Sequence, residues 1–281
     1  MLNKKVFNMT NSVLINKFRA CFNSEKALIG MIHIEALPGT PKHKLEPKKI
    51  ISNAITEAKI YEQAGIKSVI IENMHDIPYL KSAVGHEIST LMAIIGYEIK
   101  KQVNLKCGIQ ILASANKEAL AAAHSANLDF VRAEGFVFGH LADEGYIESQ
   151  AAELLRYRKL IGAENIMIFT DIKKKHSSHA ISNDTTVEEH AHAAQFFLSD
   201  GVIITGKSTG MQTDKQELIR VKQNCSLPII VGSGINADNI TDYFPLADGF
   251  IVGSYFKRDG KWQNPPDKER IKKLLEKIPE L

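Results

Sequence analysis

Cysteine is scarce in this chain: Cys21, Cys107 and Cys225 are the only three in 281 residues, and no two stand in a CxxC pair. That scarcity argues against a disulfide framework and against a zinc ribbon, and the thiols are expected to be reduced. No apolar run approaches the roughly 20 residues that a membrane-crossing helix needs, so no span is expected. Excess charge is missing too. The 35 basic and 32 acidic residues leave +3, too little to draw a nucleic-acid polymer or an acidic membrane over distance.

Several chemistries lack their signature. There is no Gly-x-Ser-x-Gly nucleophile turn and no Gly-x-Gly-x-x-Gly dinucleotide loop, so no cofactor is called for. Gly206-Lys207-Ser208 looks like the end of a P-loop, but the glycine five residues earlier, Gly201, stands ahead of an apolar run instead of after it. His33, His75 and His176 each follow a different apolar run, yet no HxH marks the first of them. His190 and His192, two apart on a predicted helix, point about 200° apart and cannot chelate together. No metal is expected.

What the chain does contain is alternation. From Ala27 onward, eight short apolar runs are separated by longer helical stretches: 27–34, 68–73, 106–112, 129–134, 166–171, 202–205, 228–232 and 249–253. Helices are predicted over 48–64, 87–102, 116–126, 148–161, 187–198, 214–223 and 267–278. Several runs are continuous Val/Ile/Leu, as parallel strands covered on both faces are. Eight strands in a chain of this length point to an α/β fold of the (β/α)8 TIM-barrel type, a single domain over residues 25–281. Residues 1–24 differ, with Lys4, Lys5, Lys17 and Arg19 but no acid before Glu25. Two readings fit this N-terminal extension: a basic presequence for a mitochondrial protein, with a cytoplasmic one as the alternative, or a segment capping the barrel floor.

In such a barrel the C-terminal strand ends share one mouth, and functional side chains come from several of them. Polar groups crowd those ends. The first run offers His33 and the second Glu72 and Asn73; the third offers Gln110, the fourth Arg132 and Glu134, and the fifth Asp171, Lys173 and His176. Asp171 and Lys173 are two apart, which in extended backbone puts both on one face, where they could share a substrate proton. Asp171, Lys173, Glu72, Arg132 and His176 are therefore the catalytic candidates. His33, Asn73, Gln110, Glu134 and Thr205 are candidates for positioning substrate.

The last three runs end differently. Thr205-Gly206 with Thr209-Gly210, Gly232-Ser233-Gly234 and Gly253-Ser254 each follow a strand directly. Glycines let main-chain N–H groups approach an anion, which makes Gly206, Gly232, Ser233, Gly234, Gly253 and Ser254 the phosphate-binding candidates. The expected partner is a small phosphorylated ligand, and a homo-oligomer is compatible with everything above.

These motifs together, with Gly30-Met31-Ile32-His33, Leu37-Pro38-Gly39, Arg132-Ala133-Glu134-Gly135 and Asp171-Ile172-Lys173-Lys174-Lys175-His176-Ser177, resemble the BtpA family, which includes the SgcQ-like proteins. The resemblance spans about Ala27 to Ile278. It implies a barrel of the ribulose-phosphate-binding kind. It also implies one of two functions: an enzyme on a phosphorylated sugar or nucleoside, nucleosidase- or isomerase-like, or a non-catalytic assembly factor, as for photosystem I in cyanobacterial members. The bland Leu112-Ala113-Ser114-Ala115 departs from the polar ending expected of the third strand.

Overall fold

The computed structural model describes residues 13–206 and 210–279. Eight parallel strands close a barrel in the order β1-β11-β10-β9-β7-β4-β3-β2. They are β1 (Ala27–His33), β2 (Ser68–Glu72), β3 (Lys106–Gln110), β4 (Phe130–Ala133), β7 (Met167–Ile172), β9 (Gly201–Ile204), β10 (Ile229–Val231) and β11 (Gly249–Val252). Each coincides with an expected run, so the TIM barrel is the observed fold. Gly201 opens β9, which disposes of the P-loop reading.

Helices join the strands as anticipated. After α1 (residues 13–22) come α2 (Pro47–Gln63), α3 (His86–Gln102), α4 (Asn116–Ser125), α5 (Ala151–Leu160), α6 (Val187–Phe196), α7 (Lys215–Asn224) and α9 (Lys268–Leu275). In α2 the spacing of Ile50, Ala54, Ala58 and Tyr61 makes the buried stripe. A capping box starts α6: the Thr186 hydroxyl accepts from Glu189 N–H, and the Glu189 carboxylate accepts from Thr186 N–H. Two features have no counterpart in the sequence reading. One is α8 (Ile240–Tyr243), a single turn too short to show a period. The other is a small antiparallel sheet, β6-β5-β8, built from β5 (His140–Ala142), β6 (Gly145–Ile147) and β8 (Ser177–Ser178) in the loops after β4 and β7.

Strand alternation divides the core in two. Leu28, Ile32, Val69, Ile71 and Val131 face the helices, whereas Ile29, Met31, Ile70, Phe130, Phe169, Ile203, Ile230 and Ile251 face the barrel axis. Phe18 and Phe22 of α1 join the inner cluster, and both are buried. Phe18 packs on Phe22 and Phe169 at centroid distances of 4.8 and 5.8 Å, and Lys17 pairs with Asp200 at 2.7 Å. Within the described residues, the N-terminal segment is therefore part of the barrel floor. Residues 1–12, the rest of the presequence candidate, lie outside the described residues.

Candidate active site

Following the inward parity upward from that apolar floor leads to a polar top layer. Inward positions two residues above the floor are His33 on β1, Glu72 on β2, Gln110 on β3, Arg132 on β4 and Asp171 on β7. Thr205, Gly232 and Gly253 continue the layer just past the ends of β9, β10 and β11. The ladder registers His33 with Glu72 and Glu72 with Gln110, so three of these side chains stand on one level. From β1 to β7 the layer is polar and bulky. From β10 to β11 it has no side chains at all, and the asymmetry leaves a cavity of about 610 Å³ above the floor.

His33, Glu72, Gln110, Arg132, Glu134 and His176 line that cavity together with Gly232, Ser233, Gly234, Gly253 and Ser254. The structure thus brings together most of the sequence candidates. Glycine is required at Gly234, where φ is +75° and a Cβ would stand 2.4 Å from the Met211 carbonyl oxygen. The Ser233 hydroxyl accepts from Gly206 N–H at 2.7 Å and donates to Met211 O at 3.1 Å. It ties two loops together, so only the main chain of Ser233 remains for a ligand. Among the described residues, the N–H groups of Ser233 and Gly234 have no protein acceptor.

Five candidates do not reach the cavity. Asp171 is inward-facing but covered: Arg132 donates to both its carboxylate oxygens at 2.8 Å, and its side chain is 1% exposed. Lys173 does not pair with it. β7 ends at Ile172, and Lys173 has φ +44°, which breaks the two-residue alternation; its ammonium donates instead to the Thr185 carbonyl oxygen. Gly206 has already given its N–H to Ser233. Thr205 accepts from Lys175 N–H at 3.1 Å and so shapes the loop after β7. Asn73 donates to Asp76 at 2.9 Å and accepts from Leu112 N–H at 2.7 Å, a buried brace between strand ends. Lys207, Ser208 and Thr209 lie outside the described residues.

The sequence reading missed Lys174, Lys175 and Trp262, all on the cavity wall. Lys174 pairs with Glu134 at 3.1 Å; burial works against its charge, but Glu134 more than offsets this and raises its pKa. Lys175 is half-buried, and its pKa is lowered first by burial and then by Arg132. The signal was present as a run of three lysines just past a strand. Trp262, the sole tryptophan, sits in the loop after β11. Its ring stands 5.6 Å from His33 and 4.8 Å from His75, and its carbonyl oxygen accepts from His33 Nδ1–H at 2.9 Å.

That bond leaves His33 Nε2 with its lone pair, 4.0 Å from Glu72 Oε2. Burial and then Lys257 push the His33 pKa well down, so the ring is neutral. Burial raises the Glu72 pKa against the pull of Arg132 and Lys175. A neutral imidazole acceptor beside a carboxyl inclined to keep its proton forms an acid–base pair, and both groups line the cavity where a substrate atom could meet them. Gln110 adds one more open valence, because its buried Oε1 has no hydrogen-bond partner among the described residues.

Comparison with known proteins carries the motifs further. A sequence profile described as the BtpA family matches residues 24–280. The chain belongs to the BtpA family. Among BtpA-like relatives, an uncharacterised Caenorhabditis elegans protein named as mitochondrial is 45% identical over 96% of this chain and 98% of its own. An uncharacterised Archaeoglobus fulgidus protein is 38% identical over 89% of this chain and 98% of its own. The photosystem I biogenesis protein BtpA of Synechocystis is 28% identical, covering 92% and 90% respectively. Tryptophan synthase of Mycobacterium tuberculosis superposes with a TM-score of 0.59 at 13% identity over 94% of this chain and 97% of that one. A Pyrococcus furiosus thiamine phosphate pyrophosphorylase gives 0.53 at 13% identity over 90% and 94%. At such identities the likeness is one of fold alone.

Proposed function

We propose that this BtpA-family barrel is an enzyme acting on a small phosphorylated sugar or nucleoside. One observation carries the reading: a single cavity has acid–base groups on the β1 to β7 side and glycine main chain, at Gly232, Gly234 and Gly253, where β10 and β11 end. The Gly232-Ser233-Gly234 turn and Gly253-Ser254 hold the phosphate. Free N–H groups at 233 and 234 are suited to that task, and the missing side chains give the anion room. Gln110 accepts from a sugar hydroxyl. Glu72 serves as proton donor and His33 Nε2 as acceptor, while Arg132 presents positive charge to the same space. Asp171 acts through Arg132 as a positioning residue.

Purified protein screened by calorimetry against ribose 5-phosphate, ribulose 5-phosphate and nucleoside monophosphates tests the reading, with ribose as the control lacking phosphate. The expected result is binding of phosphorylated ligands that is lost without the phosphate, and turnover of a bound ligand that is lost in Glu72→Gln. Equal affinity for ribose and ribose 5-phosphate refutes it.

A second reading, an assembly factor, has its own support. Phe196, Phe197 and Leu198 are 81%, 44% and 68% exposed side by side at the end of α6, a surface suited to a partner or to a second copy of the chain, and the Synechocystis relative is named for photosystem I biogenesis. Phe196→Ser with loss of a complex, and no turnover of any screened ligand, favours that reading. For location we propose the mitochondrion, on the strength of the nematode relative's name and the acid-free basic start. Phe18 and Phe22 belong to the packed floor, so any processing cut falls before residue 13. Import of a fusion carrying residues 1–12 tests this.

A further inference from the structure

Three consecutive lysines leave β7, and their ammonium groups have three different fates. Lys173 donates to the Thr185 carbonyl oxygen, and Lys174 pairs with Glu134 at 3.1 Å. Lys175 lines the cavity, and among the described residues its ammonium makes no ion pair and no hydrogen bond. Its main chain is held all the same, by donation to Thr205 Oγ1 at 3.1 Å. The acids that could neutralise it are already engaged: Asp171 is taken on both oxygens by Arg132, and Glu134 by Lys174. Of the three carboxylates whose charge acts on it, Glu72 alone is not held by a lysine or arginine, and its carboxyl accepts no hydrogen bond from the described residues. A lysine that makes no ion pair among the described residues, under the field of a buried guanidinium and on the wall of the cavity, is the arrangement that favours a neutral, nucleophilic amine.

We propose that Lys175 forms a Schiff base with the carbonyl carbon of an open-chain phosphorylated aldose or ketose. The proposal rests on the reading of the cavity as a phosphosugar site and names the carbonyl class as its substrate. In the step, Nζ attacks the carbonyl carbon and the C=O π pair moves to oxygen, which takes a proton from Glu72. The nitrogen then returns a proton to the Glu72 carboxylate. A second protonation of the hydroxyl by Glu72 lets it depart as water with the C–O pair, while the nitrogen lone pair closes the C=N bond. One amine, one carbonyl and one carboxylic acid become one iminium, one water and one carboxylate. Burial and Arg132, which lower the Lys175 pKa, favour the attacking form, and the raised pKa of Glu72 keeps its proton available. The phosphate on the glycine wall holds the chain so that its carbonyl end reaches the lysine.

The test is borohydride trapping on the full chain. Ribulose 5-phosphate and ribose 5-phosphate serve as carbonyl probes, and ribitol 5-phosphate, which has no carbonyl, reports phosphate-site binding by calorimetry. The expected result is a mass gain equal to the sugar phosphate less one oxygen atom, located by peptide mapping on Lys175 and lost in Lys175→Met. Lys175→Arg keeps the cation, so a folded Arg variant without the adduct separates chemistry from folding. Ribitol 5-phosphate binding without an adduct at Lys175 for either carbonyl probe overturns the Schiff base and leaves the phosphosugar reading standing. An adduct spread evenly over surface lysines overturns it as well. Binding of none of the three overturns both.

Discussion

Asp171→Asn separates a base from a brace. If Asp171 were the proton acceptor that its position after an apolar run suggests, the amide would leave the fold intact and lower turnover alone. The geometry says otherwise. Its side chain is 1% exposed and that of Arg132 is 4% exposed, with both N···O distances at 2.8 Å. At an effective dielectric of about 20, a pair roughly 4 Å apart attracts by about 4 kcal/mol, and breaking a buried pair by removing one partner costs about 3–5 kcal/mol. Asparagine keeps one acceptor oxygen but sets an NH2 group against a guanidinium N–H, donor against donor. Glu72 and Glu134 remain nearby to stabilise the arginine, which puts the expected loss at the low end, about 3 kcal/mol. For a chain of this size that lowers Tm by about 6–12 °C.

Urea and thermal unfolding of the two proteins read that loss directly, and ligand binding reads its second effect. Arg132 is held by Asp171 at Nε and Nη2; released from it, the guanidinium swings toward Glu72 and Glu134 and crowds the cavity. Binding of a phosphorylated ligand therefore weakens along with stability. A Tm within a degree or two of the unaltered protein, with turnover abolished and affinity unchanged, would refute the brace and restore Asp171 as base.

Three further outcomes follow from the same geometry. Phe18→Ala empties a fully buried site between Phe22 and Phe169 and is expected to cost about 3–5 kcal/mol; deletion of residues 1–24 costs at least as much, and a melt unaltered by that deletion sinks the floor assignment. Gln110→Leu removes a buried carbonyl oxygen that has no partner, so stability holds or rises while affinity for a hydroxylated ligand falls about tenfold; calorimetry beside a melt checks both directions. His140 and His190 are pushed down to about 4 by burial first, with Lys174 and Lys173 respectively next. The folded chain therefore binds fewer protons than the unfolded chain between pH 4 and 6.5. Stability present above pH 6.5 is lost as pH falls through that window, by on the order of 3 kcal/mol per histidine. Glu72, raised, offsets part of this. Urea midpoints at pH 7.5 and 4.5 that coincide contradict the assignment.

How far the sequence was legible follows from how each feature is encoded. Strand parity is local, so the top-layer members on the barrel strands and just beyond them could be found by stepping two residues up from the apolar positions. Glu72 above Ile70 and Arg132 above Phe130 are examples. The same rule fails where the chain leaves the strand. Lys173 continues the parity of Phe169 and Asp171 on paper, yet at φ +44° it turns out of register, and the residues that reach the cavity become Lys174 and Lys175. Nothing in the spacing of the three lysines announces that reversal, because it is set by distant groups: Thr185, which receives Lys173, Glu134, which receives Lys174, and Thr205, which holds the Lys175 main chain. Trp262 was hidden for the same reason, since it reaches His33 across 229 residues of sequence. Partnering too is nonlocal. Asp171 reads as an available carboxylate until Arg132 covers it, and Lys175 reads as one of three solvated cations until Lys173 and Lys174 are seen to be held by Thr185 and Glu134. A strand end therefore declares which side chains face the axis, whereas which of them remains chemically free is decided by the loops that close over it.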